Sequence, residues 1–129
     1  MDINKTYEKL LPELLFDEVK STVIGHGGKI NNKRSHIKSY TIGAVIGLRG
    51  QIYASFPIET TVKEKSWFAI KEKRMIEMRP CFTARIVGQS DARTKLMISA
   101  DEDIIGMKEL TGIQKGIELA VGSYEVKES

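Results

Sequence analysis

The chain has 129 residues, 41% of them apolar and 29% charged, with a formal net charge of +3. Those are globular proportions, and they exclude a disordered or fibrous protein. A single cysteine, Cys81, excludes an internal disulfide and a cysteine-built metal cage, and no apolar run approaches the ~18 residues of a membrane span.

Ile3, Tyr7, Leu10, Leu11, Leu14, Leu15 and Val19 recur at three- and four-residue spacing, which predicts an amino-terminal helix. Pro12 predicts either a kink in that helix or a short turn followed by a main helix with Pro12 as its first residue, ending in both cases by Gly25. A connector rich in glycine and asparagine follows. It carries Lys29, Lys33, Arg34 and both histidines, His26 and His36.

Residues 37–46 and 51–58 have the β-branched and aromatic content of strands, with Gly47-Leu48-Arg49-Gly50 between them as a hairpin turn. That turn has the Gly-x-x-Gly spacing of a nucleic-acid clamp. Its flanks are strand-like, however, whereas such a clamp joins two helices, so Arg49 reads as one exposed cation on a turn. Residues 60–79 lack glycine and proline and are dense in Lys, Glu, Arg and Met, which predicts a helix, although Trp67-Phe68-Ala69-Ile70 also suits a short strand. Pro80 ends that segment.

Residues 81–87 and 94–99 predict a second hairpin, with residues 88–92 as its turn. Ser99-Ala100-Asp101-Glu102 is a capping pattern that starts a helix near Ala100. That helix is expected to run to about Leu110 or Gly112, with a closing strand over residues 117–121; the rival is a helix continuing to Val121, which the penalty of Gly112 and Gly116 in a helix interior disfavours. The expected fold is a single α+β domain: a mostly antiparallel sheet of about four to five strands, with an amino-terminal and a carboxy-terminal helix packed on it.

The function is carried by charge. Between His26 and Ser99 fourteen Lys and Arg stand against five Asp and Glu, while residues 1–25 carry a net −2 and residues 100–129 a net −4. A basic middle between acidic ends points to an anionic partner or to a self-complementary homo-oligomer. The first expectation is a non-enzymatic nucleic-acid binder using Lys29, Lys33, Arg34, His36, Lys38 and Arg49 with the run Trp67, Lys71, Lys73, Arg74 and Arg79. The second is an oligomeric binder of a small nucleotide, with Arg79, Arg85 and Arg93 forking onto phosphates. The third is a protein-interaction module, and an enzyme comes last. His26 and His36 have no Asp, Glu or Cys at ligand spacing, so no metal and no cofactor is expected. The lone cysteine and the lack of a targeting pattern predict a cytoplasmic protein away from membranes.

Overall fold

The computed structural model describes residues 1–43, 45–88 and 93–126. Strand β1 (Asp2–Glu8) leads into helix α1 (Pro12–Gly25), then a two-residue strand β2 (Lys29–Ile30) and strand β3 (His36–Ile42). The long strands β4 (Val45–Ser66) and β5 (Ala69–Gly88) follow, then β6 (Arg93–Ala100), helix α2 (Met107–Val121) and a 3-10 turn (Gly122–Tyr124). All pairings are antiparallel in one six-stranded sheet of order β1-β6-β5-β4-β2, and β3 shares the outer edge of β4 with β2. The expected α+β class, with a helix from each end of the chain, is the observed one.

Among the described residues, only one face of this sheet is covered. Ile52, Ala54 and Phe56 of β4, Phe82, Ala84 and Ile86 of β5 and Leu96, Ile98 and Ala100 of β6 alternate in sequence, so they point the same way. They pack in one core with Leu15, Phe16, Val19 and Val23 of α1 and Leu110, Ile113, Ile117 and Val121 of α2. The helices approach closely because α2 presents glycines to α1. A Cβ at Gly112 would lie 2.6 Å from the His26 ring, and one at Gly116 would lie 2.7 Å from the Thr22 methyl. This contact keeps residues 117–121 helical, against the expected closing strand.

Three further expectations are corrected here. Residues 2–8 form a strand, because β1 pairs along its length with β6, and α1 starts at Pro12. The β3–β4 hairpin turns at Gly43, which has φ +61°, and Gly47 and Gly50 lie within β4. Gly47 is covered by the Tyr40 ring, which a Cβ there would strike at 2.5 Å. The capping pattern at residue 99 builds a turn instead of a helix start: Asp101 Oδ1 accepts from the Asp103 amide at 3.0 Å, and α2 begins at Met107. Of the expected turn at residues 88–92, positions 89–92 lie outside the described residues.

The largest correction concerns residues 60–79. They belong to a two-stranded arm, residues 57–66 of β4 paired with 69–78 of β5, rooted at the Phe56↔Arg79 pair and turning at Trp67-Phe68. Directly opposed pairs Lys63↔Glu72 and Glu64↔Lys71 favour the hairpin, and side-chain contacts of this kind override a helix propensity worth a few tenths of a kcal/mol per residue. A bulge between Ala54 and Ser55 marks the root of the arm: Ala54 opposes Phe82, Ser55 opposes Pro80, and Cys81 is the extra residue.

Two outcomes follow from this packing. Gly28 has no room for a side chain, since a Cβ would lie 2.5 Å from Val23 Cγ1 and 2.8 Å from the Phe56 ring. Gly28→Ala is therefore expected to lower stability by about 1–3 kcal/mol, read from the urea midpoint; an unchanged midpoint would show that the α1–β2 junction yields freely. Tyr7 is buried, and its phenol is pushed up to about 12, first by burial and then by the carboxylates of Glu125 and Glu118. Its neutral form is thus favoured in the folded chain, so stability present below pH 10 is lost as pH rises towards 12. Tyr7→Phe should flatten that alkaline loss in melts at increasing pH, and an identical slope in both proteins would refute the assignment.

Candidate anion-binding face

Strand alternation sends every residue between the core positions to the uncovered face. Reading across directly opposed residues, one row runs Lys38, Arg49, Val87, Lys95, and the next runs His36, Gln51, Arg85, Met97. A third row, Tyr53, Thr83 and Ser99, ends beside Arg34. From β3 across to β6, no described residue on this face of the body is acidic. Lys38, Arg49, Arg85, Arg93 and Lys95 are all exposed.

Two of the cations are held flat. The Arg34 guanidinium lies 4.0 Å from the centre of the Tyr53 ring, and that of Arg49 lies 4.4 Å from the centre of the Tyr40 ring. Arg34 is delivered there by a turn in which Asn31 Oδ1 accepts from the amides of Lys33 and Arg34, each at 3.2 Å. Ser35 then locks the turn to β4: its Oγ accepts from the Tyr53 amide at 2.9 Å and donates to the Tyr53 carbonyl at 3.3 Å. Gln51 Nε2 donates to the Arg34 carbonyl at 3.2 Å and lies 3.5 Å from His36 Nε2. Cation–π contacts of this kind are worth roughly 0.5–1 kcal/mol where exposed, and they pre-set the planar donors.

The expected site residues therefore divide. Arg34, His36, Lys38, Arg49, Arg85 and Arg93 converge on the open face, with Arg93 at its margin in an ion pair with Glu8 at 3.3 Å. Lys29 and Lys33 sit at the β2 edge beside a hollow of about 400 Å³ that also touches Met78. Trp67, Lys71, Lys73, Arg74 and Arg79 lie on the arm, away from that face. Charge there is largely balanced: Arg74 meets Glu59 at 3.5 Å, Arg79 meets Glu77 at 3.3 Å, and Lys71 opposes Glu64. β2 interrupts the glycine- and asparagine-rich connector, and its Gly28 is spent on packing against Val23 and Phe56. His26 and His36 lie on opposite sides of the sheet, His26 against Gly112 of α2.

Lys95, Gln51, Tyr40 and Tyr53 were missed by the sequence reading. The signal was parity: in Arg93, Lys95 and Met97, as in Arg85 and Val87, the polar positions alternate with the buried ones. A cleft of about 230 Å³ opens beside Arg34 and Tyr53, with Thr83, Pro80 and Cys81 on its far wall. The Cys81 thiol is itself buried, and its pKa is raised, first by burial and then by the charge of Asp101, against a lowering hydrogen bond from the Phe56 backbone. Such a thiol is a small apolar wall residue and a poor nucleophile.

No protein-family model, no curated protein and no solved structure matches the chain.

Burial and a raised pKa both slow alkylation, so Cys81 in the native protein should react with iodoacetamide markedly more slowly than in urea. Native and unfolded rates that agree would mean the cleft exposes the thiol.

Proposed function

We propose that the protein is a non-enzymatic, cytoplasmic nucleic-acid binder whose contact surface is the open sheet face, with Lys38, Arg49, Arg85 and Lys95 on phosphates and Arg34 at the flank. The observation that carries this reading is the acid-free row in which Lys38 directly opposes Arg49 and only Val87 separates Arg49 from Lys95. Like charges directly opposed destabilise a sheet, and a bound polyanion reverses that penalty. Adjacent strands lie ~4.8 Å apart, so the row offers a cation roughly every 5–10 Å to a phosphate chain laid across the strands.

Two features favour a polymer over a mononucleotide. The face is an open sheet surface, and its cleft of about 230 Å³ is smaller than the roughly 300–1,000 Å³ that encloses a small ligand. The rings of Tyr40 and Tyr53 are already covered by Arg49 and Arg34, which leaves guanidinium planes as the stacking surface for unpaired bases.

Neutralising about five phosphates gives a slope of log affinity on log salt near −3.5 for single strands and −4.5 for duplex. Fluorescence anisotropy with a labelled oligonucleotide over a salt series measures it. Arg49→Ala with Arg85→Ala should make the slope shallower by about 1.4–1.8 and leave the melting temperature within a few degrees of wild type. Absence of binding near 50 mM salt, or a slope unmoved by the double substitution, would refute the assignment of this face.

A further inference from the structure

We infer that the β4–β5 arm is a dimerisation ribbon: the β5 edges of two copies pair antiparallel about a twofold axis at Lys73, so that Glu72 meets Arg74 of the second copy and Ile70 meets its Ile76. This inference rests on the arm alone and is independent of the nucleic-acid reading of the sheet face.

The arm is anomalous as a solitary element. It projects roughly 33 Å, ten residues at ~3.3 Å each, and an isolated two-stranded ribbon is marginal in water. Both its edges are unpaired, since β2 covers β4 only as far as Ser55 and β6 covers β5 only from Phe82. It carries four strongly exposed large apolar side chains: Trp67 is 94% exposed, Phe68 80%, Ile76 78% and Ile70 67%. Three of these four belong to β5 or to the turn residue that enters it.

The backbone specifies which edge is available. The two-residue turn makes Ser66 and Ala69 a hydrogen-bonded pair, and alternation from there leaves the amides and carbonyls of Ile70, Glu72, Arg74, Ile76 and Met78 pointing outward along β5. Pro80 and Pro57 fall on outward positions as well, at the root of each edge, where they remove a donor and confine pairing to the outer part of the arm.

Charge then selects the register. Centring the twofold at Lys73 sets Glu72 against Arg74 of the second copy and Arg74 against its Glu72, with Ile70 against Ile76 on either side and Phe68 against Met78 beyond. The row through this contact alternates in sign: Lys63 and Glu72 of one copy continue into Arg74 and Thr61 of the other. Shifting the axis to Arg74 sets Glu72 against Ile76 and an arginine against itself, and shifting it to Glu72 sets Arg74 against Ile70. On the β4 edge, no register joins two large aliphatic residues at outward positions, because Pro57, Glu59, Thr61, Lys63 and Lys65 occupy them. The two Lys73 side chains meet on the opposite face of the ribbon, a like-charge contact that the paired Glu72–Arg74 contacts outweigh two to one.

The register gives a sharp test. Residues facing each other at the axis form a non-hydrogen-bonded pair with Cα atoms about 4.5 Å apart, within disulfide range. Lys73→Cys should therefore cross-link into a covalent dimer under mild oxidation, whereas Ile70→Cys and Ile76→Cys singly should not, with buried Cys81 silent in the wild-type control. Sedimentation of the wild type at micromolar concentration should give twice the 14.5 kDa chain mass, and Ile70→Lys with Ile76→Lys should give the single mass while its melt stays two-state. A monomeric wild type overturns the proposal. So does cross-linking that is equal at all three positions, or a dimer untouched by the double lysine variant.

Discussion

One-sided burial of a single antiparallel sheet is the constraint from which the other features descend. Both helices lie on the same face, and together they bury the even-numbered positions of β4, β5 and β6 from Ile52 to Phe56, Phe82 to Ile86 and Leu96 to Ala100. Because side chains alternate, this fixes the register of each strand: a slip of one residue would carry Arg49, Arg85 or Lys95 into the core, at a cost no local contact offsets. The cations on the open face are therefore placed by the hydrophobic pattern of their neighbours. Apolar spacing, rather than any attraction among the charges, collects them.

Close helix packing makes that one-sided layer possible. Gly112 and Gly116 let α2 approach His26 and Thr22, Gly28 lets the chain leave α1 past Val23 and Phe56, and Gly88 accepts Pro12 at the start of α1. Each of these four sits where a Cβ would meet a neighbour, and among the glycines Gly27 and Gly43 are the two with positive φ. The edges are handled separately. The outer edge of β1 is met by the tail, through the Val126 amide donating to the Thr6 carbonyl at 2.8 Å and the Lys5–Glu125 ion pair at 2.9 Å. The arm has no such cover along either strand, which sets it apart from the rest of the sheet.

The elements legible in the sequence were those whose own period matches their environment. The helix from Pro12, the β5–β6 hairpin and the strands around residues 37–58 carry their signals locally. Elements decided by distant partners were not legible. Residues 2–8 show helical spacing because Ile3 and Tyr7 face the core while Leu10, Leu11 and Leu14 belong to the next element, and only β6 makes them a strand. In α2, a glycine penalty of about 1 kcal/mol each argued for a break that contact with α1 overrides. The arm was hidden by composition, since Lys, Glu and Met favour helix, but its mirrored charges Lys63-Glu64 and Lys71-Glu72 about Trp67-Phe68 were a hairpin signal in plain view.

The same mirror explains why the basic middle of the chain is two surfaces. Of its fourteen cations, six fall on the arm with four acids among them, and eight fall on the body; the fifth acid of the segment, Asp91, lies outside the described residues. On the arm, opposite signs are brought together across two strands, so the charges hold the ribbon's own register and leave little net field. On the body, Lys38, Arg49 and Lys95 face no opposing acid, and the field of each adds to that of the next. A count of charges along the sequence merges these cases. Strand parity separates them, because it determines whether two nearby ions face each other or point to opposite sides of the sheet.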